Sequence, residues 1–252
     1  MERLLVVVPA YNEEASIGSV LREIQSVVPD TDVLVVDDGS SDDTREAALA
    51  EKVIVLSLPF NLGVGGAMRA GFRYAVRNDY TQVIQVDADG QHDPAQIPML
   101  VSELCRADIV IGARFAGAVD YPVHGPRRWA MRLLASHLSR LTGARLTDAT
   151  SGFRASGPRA VELFARHYPV EYLGDTVESL VIAALAGLRV TQVPVSMRVR
   201  VTGRPSQTPV RALAYLLRAG LALAIARVRW RSAGRLGLGG LVPVSNRKED
   251  SQ

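Results

Sequence analysis

Three acidic clusters follow three short apolar runs in the chain. They are Val8-Pro9-Ala10-Tyr11-Asn12-Glu13-Glu14, Val36-Asp37-Asp38-Gly39-Ser40-Ser41-Asp42-Asp43-Thr44 and Val86-Asp87-Ala88-Asp89-Gly90-Gln91-His92-Asp93-Pro94. If the runs are neighbouring strands, the clusters converge on one crevice. Packed carboxylates there are costly unless a cation or hydrogen-bond donors offset them. Asp87-Ala88-Asp89 puts two carboxylates on the same side of a near-extended turn, which suits a Mg²⁺ or Mn²⁺ bridging a pyrophosphate. A lone Asp-x-Asp is a common surface turn, whereas three clusters in register at strand ends are hard to produce by chance.

The run Asn61-Leu62-Gly63-Val64-Gly65-Gly66-Ala67-Met68-Arg69-Ala70-Gly71 has the form of a phosphate-cradling glycine loop before a helix. It lacks the Gly-Lys-Ser/Thr of a Walker loop. The first strand ends in Pro-Ala-Tyr-Asn-Glu where a dinucleotide-binding turn would need glycines. No Ser-His-Asp or Cys-His arrangement stands out. His92 is expected to be a turn residue rather than a ligand, because hard cations prefer oxygen. Cys105 is expected to be a small buried hydrophobe.

The elements that must position these residues are legible in outline. Leu4–Val8, Val33–Val36, Val53–Leu58, Val83–Val86 and Ile109–Ile111 are short, Val/Ile-rich and apolar without alternation, as buried parallel strands are. Helices are expected over Ser16–Val27, Thr44–Ala50, Gly65–Arg77 and Pro94–Leu104. Ser41-Asp42-Asp43 offers a cap for the second of these, and Pro94 opens the fourth. Repeated strand–helix units predict a doubly wound, mostly parallel α/β sheet with its ligand at the carboxyl ends of the strands. Further on, helices are expected at Arg127–Leu141 and Val177–Ala186, a polar loop at Thr147–Gly152, and strands at Val190–Val195 and Met197–Val201.

A chain of 252 residues, 48 % hydrophobic, can bury one substantial core. The single cysteine excludes a disulfide framework and fits a reducing compartment. Met1-Glu2-Arg3 runs directly into a strand-like segment without the pattern of a secretory leader. Charge is unevenly placed. Residues 179–252 carry +10 of a net +3, leaving −7 on residues 1–178. The basic residues at the carboxyl end are mostly Arg interleaved with Leu, Ala and Val rather than aromatics, which fits a membrane surface better than nucleic acid. On a helical wheel Arg211, Arg218 and Arg229 form one stripe, with Leu213, Leu216, Leu217, Leu221, Leu223 and Val228 covering the rest. Arg218 leaves too short an uncharged run to span a bilayer. The expected organisation is a catalytic domain over 1–205, an amphipathic membrane- or partner-docking helix over 206–231 and a loose tail over 232–252. Packing of that helix on its own domain is the competing reading.

Taken together, VVPAYNEE, VVDDGSSDDT, NLGVGGAMRAG, VDADGQHDP, IGARF, DATSGFR and VPVSMRVRVTGR, in that order, resemble glycosyltransferase family 2. The branch is that of the dolichyl- and polyprenyl-phosphate sugar synthases, and the resemblance covers nearly the whole chain. It implies a GT-A type nucleotide-sugar-binding fold and inverting transfer from a nucleotide diphosphate-sugar, either GDP-mannose or a UDP-hexose, to a polyprenyl phosphate. It also implies a Mg²⁺ or Mn²⁺ cofactor and a peripheral place on the cytoplasmic face of a membrane, with a small membrane protein as a plausible partner.

Residue by residue, Pro9, Ala10, Tyr11 and Glu13 match positions that contact the nucleoside, and Asp38 the acid that binds the base. Gly66 and Arg69 fall in the glycine run on the donor side. Asp87, Asp89 and Gln91 match the metal and diphosphate motif, with Asp89 central to catalysis. Arg114, Arg127 and Arg200 match arginines around the donor and acceptor phosphates, a role Arg128 could share. Asp148, Ser151, Gly152, Phe153 and Arg154 match the motif shaping the acceptor side, and Glu178 an acid near the reacting sugar. Two departures touch the acceptor side: Gly203-Arg204-Pro205-Ser206 replaces the usual Gly-x-Ser-Lys or Gly-x-Ser-Ser, and Met131 stands where a Ser is usual.

A phosphate monoester acceptor needs little base catalysis. A sugar hydroxyl, as in cell-wall or polysaccharide assembly, would instead need a carboxylate base such as Asp148 or Glu178. A nucleotidyltransferase would share the acidic crevice but lacks its glycine-rich, lysine-bearing signature here. A non-catalytic docking module would be expected to have lost some of Asp38, Asp89, Gln91 or Arg200.

Overall fold

Runs of Val, Leu and Ile with no polar face must be covered on both sides, and they are. The computed structural model describes residues 2–113, 135–136, 138–170 and 175–198. Within them the chain order is β1 (Leu4–Ala10), α1 (Glu14–Val27), β2 (Asp32–Asp37), α2 (Thr44–Ala50), β3 (Ile54–Ser57), α3 (Gly63–Arg77), β4 (Gln82–Gln85), α4 (Ile97–Ser102) flanked by short 3₁₀ turns, β5 (Ile109–Ala113), β6 (Arg154–Ser156), α5 (Pro158–His167), α6 (Asp175–Leu185) and β7 (Val190–Pro194). The strands form one sheet in the order β3-β2-β1-β4-β6-β5-β7. All pairings are parallel except those of β6, which runs against both β4 and β5.

Side chains alternate along each strand. Leu5 and Val7 of β1 and Leu34 and Val36 of β2 join Met68 and Phe72 of α3, Phe164 of α5 and Leu180 of α6 in one core. Val6, Val8, Val33 and Val35 point the other way, into a second core with Ile17, Leu21 and Ile24 of α1 and Ile97 and Leu100 of α4. The sheet is therefore doubly wound, as the unalternating apolar runs predict. Helix α3 lies close on β1: a Cβ at Gly71 would stand 2.6 Å from Val7 Cγ1.

Most expected elements stand within a few residues of their bounds, and α2 matches at both ends. Other expectations are corrected. β6 and α5 have no counterpart among the expected elements. Within Ser41-Asp42-Asp43 it is Asp42 that caps α2, its Oδ1 accepting the Thr44 N–H at 3.1 Å, while Asp43 makes no side-chain cap bond. Cys105 is exposed rather than buried, because the chain leaves α4 in a surface 3₁₀ turn, Glu103–Cys105. Of the strand expected at Met197–Val201, Met197 forms a single antiparallel bridge to His92. The helix expected at Arg127–Leu141 falls largely outside the described residues, although 138–142 are helical. The docking helix over 206–231 and the tail over 232–252 lie wholly outside them.

Candidate active site

Parallel strands deliver their following loops to one edge of the sheet. β1, β2 and β4 therefore bring the three acidic clusters together there, with Ala10 beside Asp37 in the strand register. The first two loops are laced by small polar groups. Asn12, at φ 54°, donates its N–H to Ser40 Oγ at 3.0 Å and accepts from the Ser41 N–H at 2.8 Å. The Glu13 N–H donates to Thr44 Oγ1 at 2.8 Å, while Glu13 Oε2 accepts from Ser16 Oγ at 2.9 Å. Asp43 N–H donates to Glu14 Oε2 at 3.1 Å. Between them Pro9 and Ala10 close β1, and the Tyr11 ring stands 45 % exposed at the mouth.

Asp38 is buried and turns towards α3. Its two carboxylate oxygens accept the N–H groups of Leu62 (2.8 Å) and Gly63 (2.7 Å). The residue at the N-cap of α3, Leu62, has no side-chain oxygen to do this, so the cap comes from the end of β2. Burial raises the Asp38 pKa; the two backbone bonds work against that rise and the neighbouring Asp37 adds to it. Gly66 and Arg69 sit on α3. Gly66 is buried, with room for nothing larger: a Cβ there would stand 2.4 Å from Leu62 Cβ. Arg69 donates from Nη2 to the Arg166 carbonyl of α5 at 3.0 Å.

The third cluster follows β4. Asp87 Oδ1 accepts from Gln85 Nε2 at 2.9 Å, and Asp89 Oδ1 accepts the Gln91 N–H at 3.0 Å across Gly90, whose φ is 74°. Facing Asp87 is the loop entering β6. Because β6 runs opposite to its neighbours, its first residue, Arg154, pairs with Gln85 and Ile111 near the carboxyl ends of β4 and β5. The loop before it therefore opens onto the same crevice. Gly152 lies close against Gln85 and Asp87: a Cβ there would stand 2.9 Å from Gln85 Nε2 and 3.0 and 3.3 Å from the two Asp87 carboxylate oxygens. Asp148 and Ser151 are buried. Asp148 Oδ1 accepts from the N–H and hydroxyl of Thr150, at 3.2 and 2.9 Å, which closes the loop on itself.

Arg154 holds this loop from beneath. It is 7 % exposed and donates to four oxygens: Ser151 O (2.7 Å), Ala149 O (2.7 Å), Thr176 O (2.8 Å) and Ser179 Oγ (3.1 Å). It thus ties the loop to α6, on which Glu178 sits partly buried. Sequence reasoning missed the neighbour that matters here, Asp175, the first residue of α6. It is 5 % exposed, and among the described residues its Oδ2 has no hydrogen-bond partner. Burial pushes its pKa up to about 6, against the pull of Arg154 and the Thr176 N–H and with a further push from Asp87. Tyr168 beside it is likewise raised, first by burial and then by Asp175. An acid opening a helix reads in sequence as an ordinary dipole partner, which is why Asp175 did not stand out. Arg114, Arg127, Arg128 and Arg200 lie outside the described residues.

A divalent cation fits this donor set in a particular way. Among the described residues no three His, Cys, Asp or Glu side chains group closely enough to hold a metal unaided. One or two carboxylates completed by an amide oxygen and substrate phosphates is the usual Mg²⁺ arrangement. Asp87, Asp89 and Gln91 can supply it, and glycine at 152 leaves the Asp87 oxygens uncovered on that side.

Residues 5–162 match the family described as Glycosyl transferase family 2. An undecaprenyl-phosphate mannosyltransferase of Micrococcus luteus is 34 % identical over 252 aligned residues, covering 94 % of this chain and 100 % of that protein. A polyprenol monophosphomannose synthase of Mycolicibacterium smegmatis is 35 % identical over 167 residues, 61 % of each chain. Among solved structures, the glucosyl-3-phosphoglycerate synthase of Mycobacterium tuberculosis in complex with Mn²⁺, uridine diphosphate and phosphoglyceric acid superposes with a TM-score of 0.64. It is 26 % identical, covering 86 % of this chain and 78 % of that one.

Proposed function

The chain belongs to glycosyl transferase family 2, and from that premise we propose that it transfers a sugar, with inversion, from a nucleotide diphosphate-sugar to a polyprenyl phosphate. The observation that carries this reading is the meeting of Asp87, at the end of β4, with Gly152, at the head of the reversed β6. It puts the acidic diphosphate motif against the loop assigned to the acceptor side. The two relatives named as polyprenyl-phosphate mannosyl enzymes support the acceptor class.

In this reading the laced loops after β1 and β2 hold the nucleoside, and Asp38 keeps the start of α3 in place beside them. Asp87, Asp89 and Gln91 would hold the cation, which when bound would act as a Lewis acid on the departing diphosphate. A phosphate monoester is largely dianionic near neutral pH, because its second pKa is about 6. One of its oxygens attacks the anomeric carbon as the bond to the nucleotide diphosphate breaks, and the single displacement inverts that centre. No base need remove a proton. Arg114, Arg127, Arg128 and Arg200 are assigned to holding the phosphates, which Arg does bidentately.

No helix among the described residues is long and apolar enough to cross a membrane. The basic, Leu-rich segment over 206–231 is assigned to reaching the lipid acceptor, by lying on the cytoplasmic membrane surface or against a small membrane protein.

The test is transfer of labelled sugar to polyprenyl phosphate in detergent, with GDP- and UDP-sugars compared under Mg²⁺, Mn²⁺ or EDTA. A lipid-linked product from one donor, abolished by EDTA and reduced at least about 100-fold in Asp89→Ala, is expected. Nucleotide binding with Mn²⁺ but no lipid product from any donor would remove the acceptor half of the proposal.

A further inference from the structure

His92 closes the Asp87–His92 loop with its ring rather than its backbone. Its Nδ1 accepts the Asp87 backbone N–H at 3.0 Å, so the ring proton sits on Nε2. Nε2 in turn stands 3.5 Å from Asp87 Oδ2, an electrostatic contact longer than a formed hydrogen bond, while Gln85 Nε2 donates to the other oxygen at 2.9 Å. The two carboxylate oxygens of Asp87 are thus each approached by a neutral N–H. Neutral donors fix orientation without cancelling charge, and each oxygen keeps lone pairs for a cation.

The ring has no freedom to turn. It is 4 % exposed and lies on Phe153, with centroids 4.8 Å apart and planes at 14°. Phe153 is fully buried and follows Gly152, the residue that lies close against Asp87. From the other side His92 bridges Met197, and the Arg198 N–H donates to the Gln91 carbonyl at 2.9 Å. Arg198 then grips Glu23 of α1 with both terminal nitrogens, at 2.7 and 2.6 Å, and Asp93 at 2.9 Å. The ring is thus packed on Phe153 while the backbone on either side of it is pinned through Met197 and Arg198, and the imidazole faces the Asp87 carboxylate.

We propose that His92 is a positioning residue for the cation site, aiming the Asp87 carboxylate through Nε2 while Nδ1 fixes the turn. The inference rests on the proposed metal site. Metal-ligating carboxylates are commonly oriented in this way by outer hydrogen bonds, whose loss weakens metal binding about 10–100-fold.

His92→Asn separates the two nitrogens, since the Asn oxygen can stand near Nδ1 and keep the backbone bond while nothing replaces Nε2–H. Mn²⁺ binding would be followed by electron paramagnetic resonance, with GDP and separately UDP present, and nucleotide binding in EDTA and thermal melting would be measured alongside. Mn²⁺ affinity should fall about 10–100-fold, with nucleotide binding in EDTA and the melting temperature near wild type. His92→Gln, whose amide reaches towards the Nε2 position, should recover part of the loss. Phe153→Leu, which loosens the ring but keeps both nitrogens, should weaken Mn²⁺ binding less and carries the test if the Asn variant does not fold. Unchanged Mn²⁺ affinity in the folded variants would overturn the inference. So would a fall matched by equal losses of nucleotide binding in EDTA and of stability, which is what a packing role alone produces. A wild-type protein that binds no Mn²⁺ with either nucleotide would instead remove the metal site itself, and this inference with it.

Discussion

The two sides of the crevice are held together in different ways. On the donor side, the loops after β1 and β2 are joined by many short bonds among small polar residues, with Asn12, Ser40, Ser41, Asp42 and Thr44 each contributing two or three. On the other side, one buried cation, Arg154, joins the loop from Ala149 to Ser151 to α6, with two of its four donated bonds going to each. A distributed network loses little when one member goes. A single buried centre loses nearly everything, because the oxygens it served are left without partners in a medium that cannot replace them.

The largest expected effect is therefore at Arg154. Arg154→Met keeps the apolar stem and removes the guanidinium, leaving Ala149 O, Ser151 O and Thr176 O without it and Asp175 without its counter-charge. A loss of about 3–5 kcal/mol is expected in denaturant unfolding, the range for breaking a buried charged centre. Loss of transfer should follow from the displaced Gly152 loop even where folded protein remains. A loss under about 1 kcal/mol would mean that the two sides do not differ in the way described.

Asp175 sharpens the comparison, because it is the partner that the Arg154 centre only half satisfies. Its pKa is raised from 3.8 to about 6, so the folded state favours the neutral acid. Between those values the native protein binds more protons than the unfolded chain, and stability falls as pH rises through that window. Asp175→Asn removes the cost. The variant should gain up to about 3 kcal/mol over wild type above pH 6, from a shift of roughly two units. Below about pH 4, where the carboxyl is protonated in both states, the gain should vanish. Melting temperatures across that range would show it. A pH-independent difference would mean that the carboxylate is not under strain.

How much of this was legible in the sequence follows the same division. The donor side announces itself, since unalternating Val/Ile runs give the parallel strands and each run ends in its own acidic loop. The other side is hidden. β6 is three residues, Arg-Ala-Ser, and owes its place to its neighbours rather than to any pattern of its own. A charged residue in a buried strand is a poor local choice, redeemed here by the Ala149, Ser151 and Thr176 carbonyls and Ser179 Oγ. The helix α5 did leave a signal that was passed over: Gly157-Pro158 opens it, and Ala160, Val161 and Phe164 repeat at helical spacing. Asp38 shows a related limit. Its position marked it as a donor-site acid, while its bonds to Leu62 and Gly63 join residues 24 and 25 positions away. The sequence reads His92 as a turn residue; its two ring contacts with Asp87 accompany stacking on Phe153, 61 residues further along.

The smallest effect should come from the laced side, and Ser40 is the residue to use. Its hydroxyl accepts the Asn12 N–H at 3.0 Å on an exposed stretch, while its own N–H donates to Asp37 Oδ1 at 3.0 Å and is untouched by a change of side chain. Ser40→Ala removes one bond whose donor can turn to water, so stability should drop by only about 0.5–1 kcal/mol. Asn12 is held in addition by the bond its side chain accepts from Ser41, so its left-handed conformation should survive. Donor binding should then weaken no more than about five-fold, by the same energy. A larger loss, approaching that of Arg154→Met, would show that Ser40 touches the nucleotide directly and that the donor loops depend on fewer residues than their many bonds suggest.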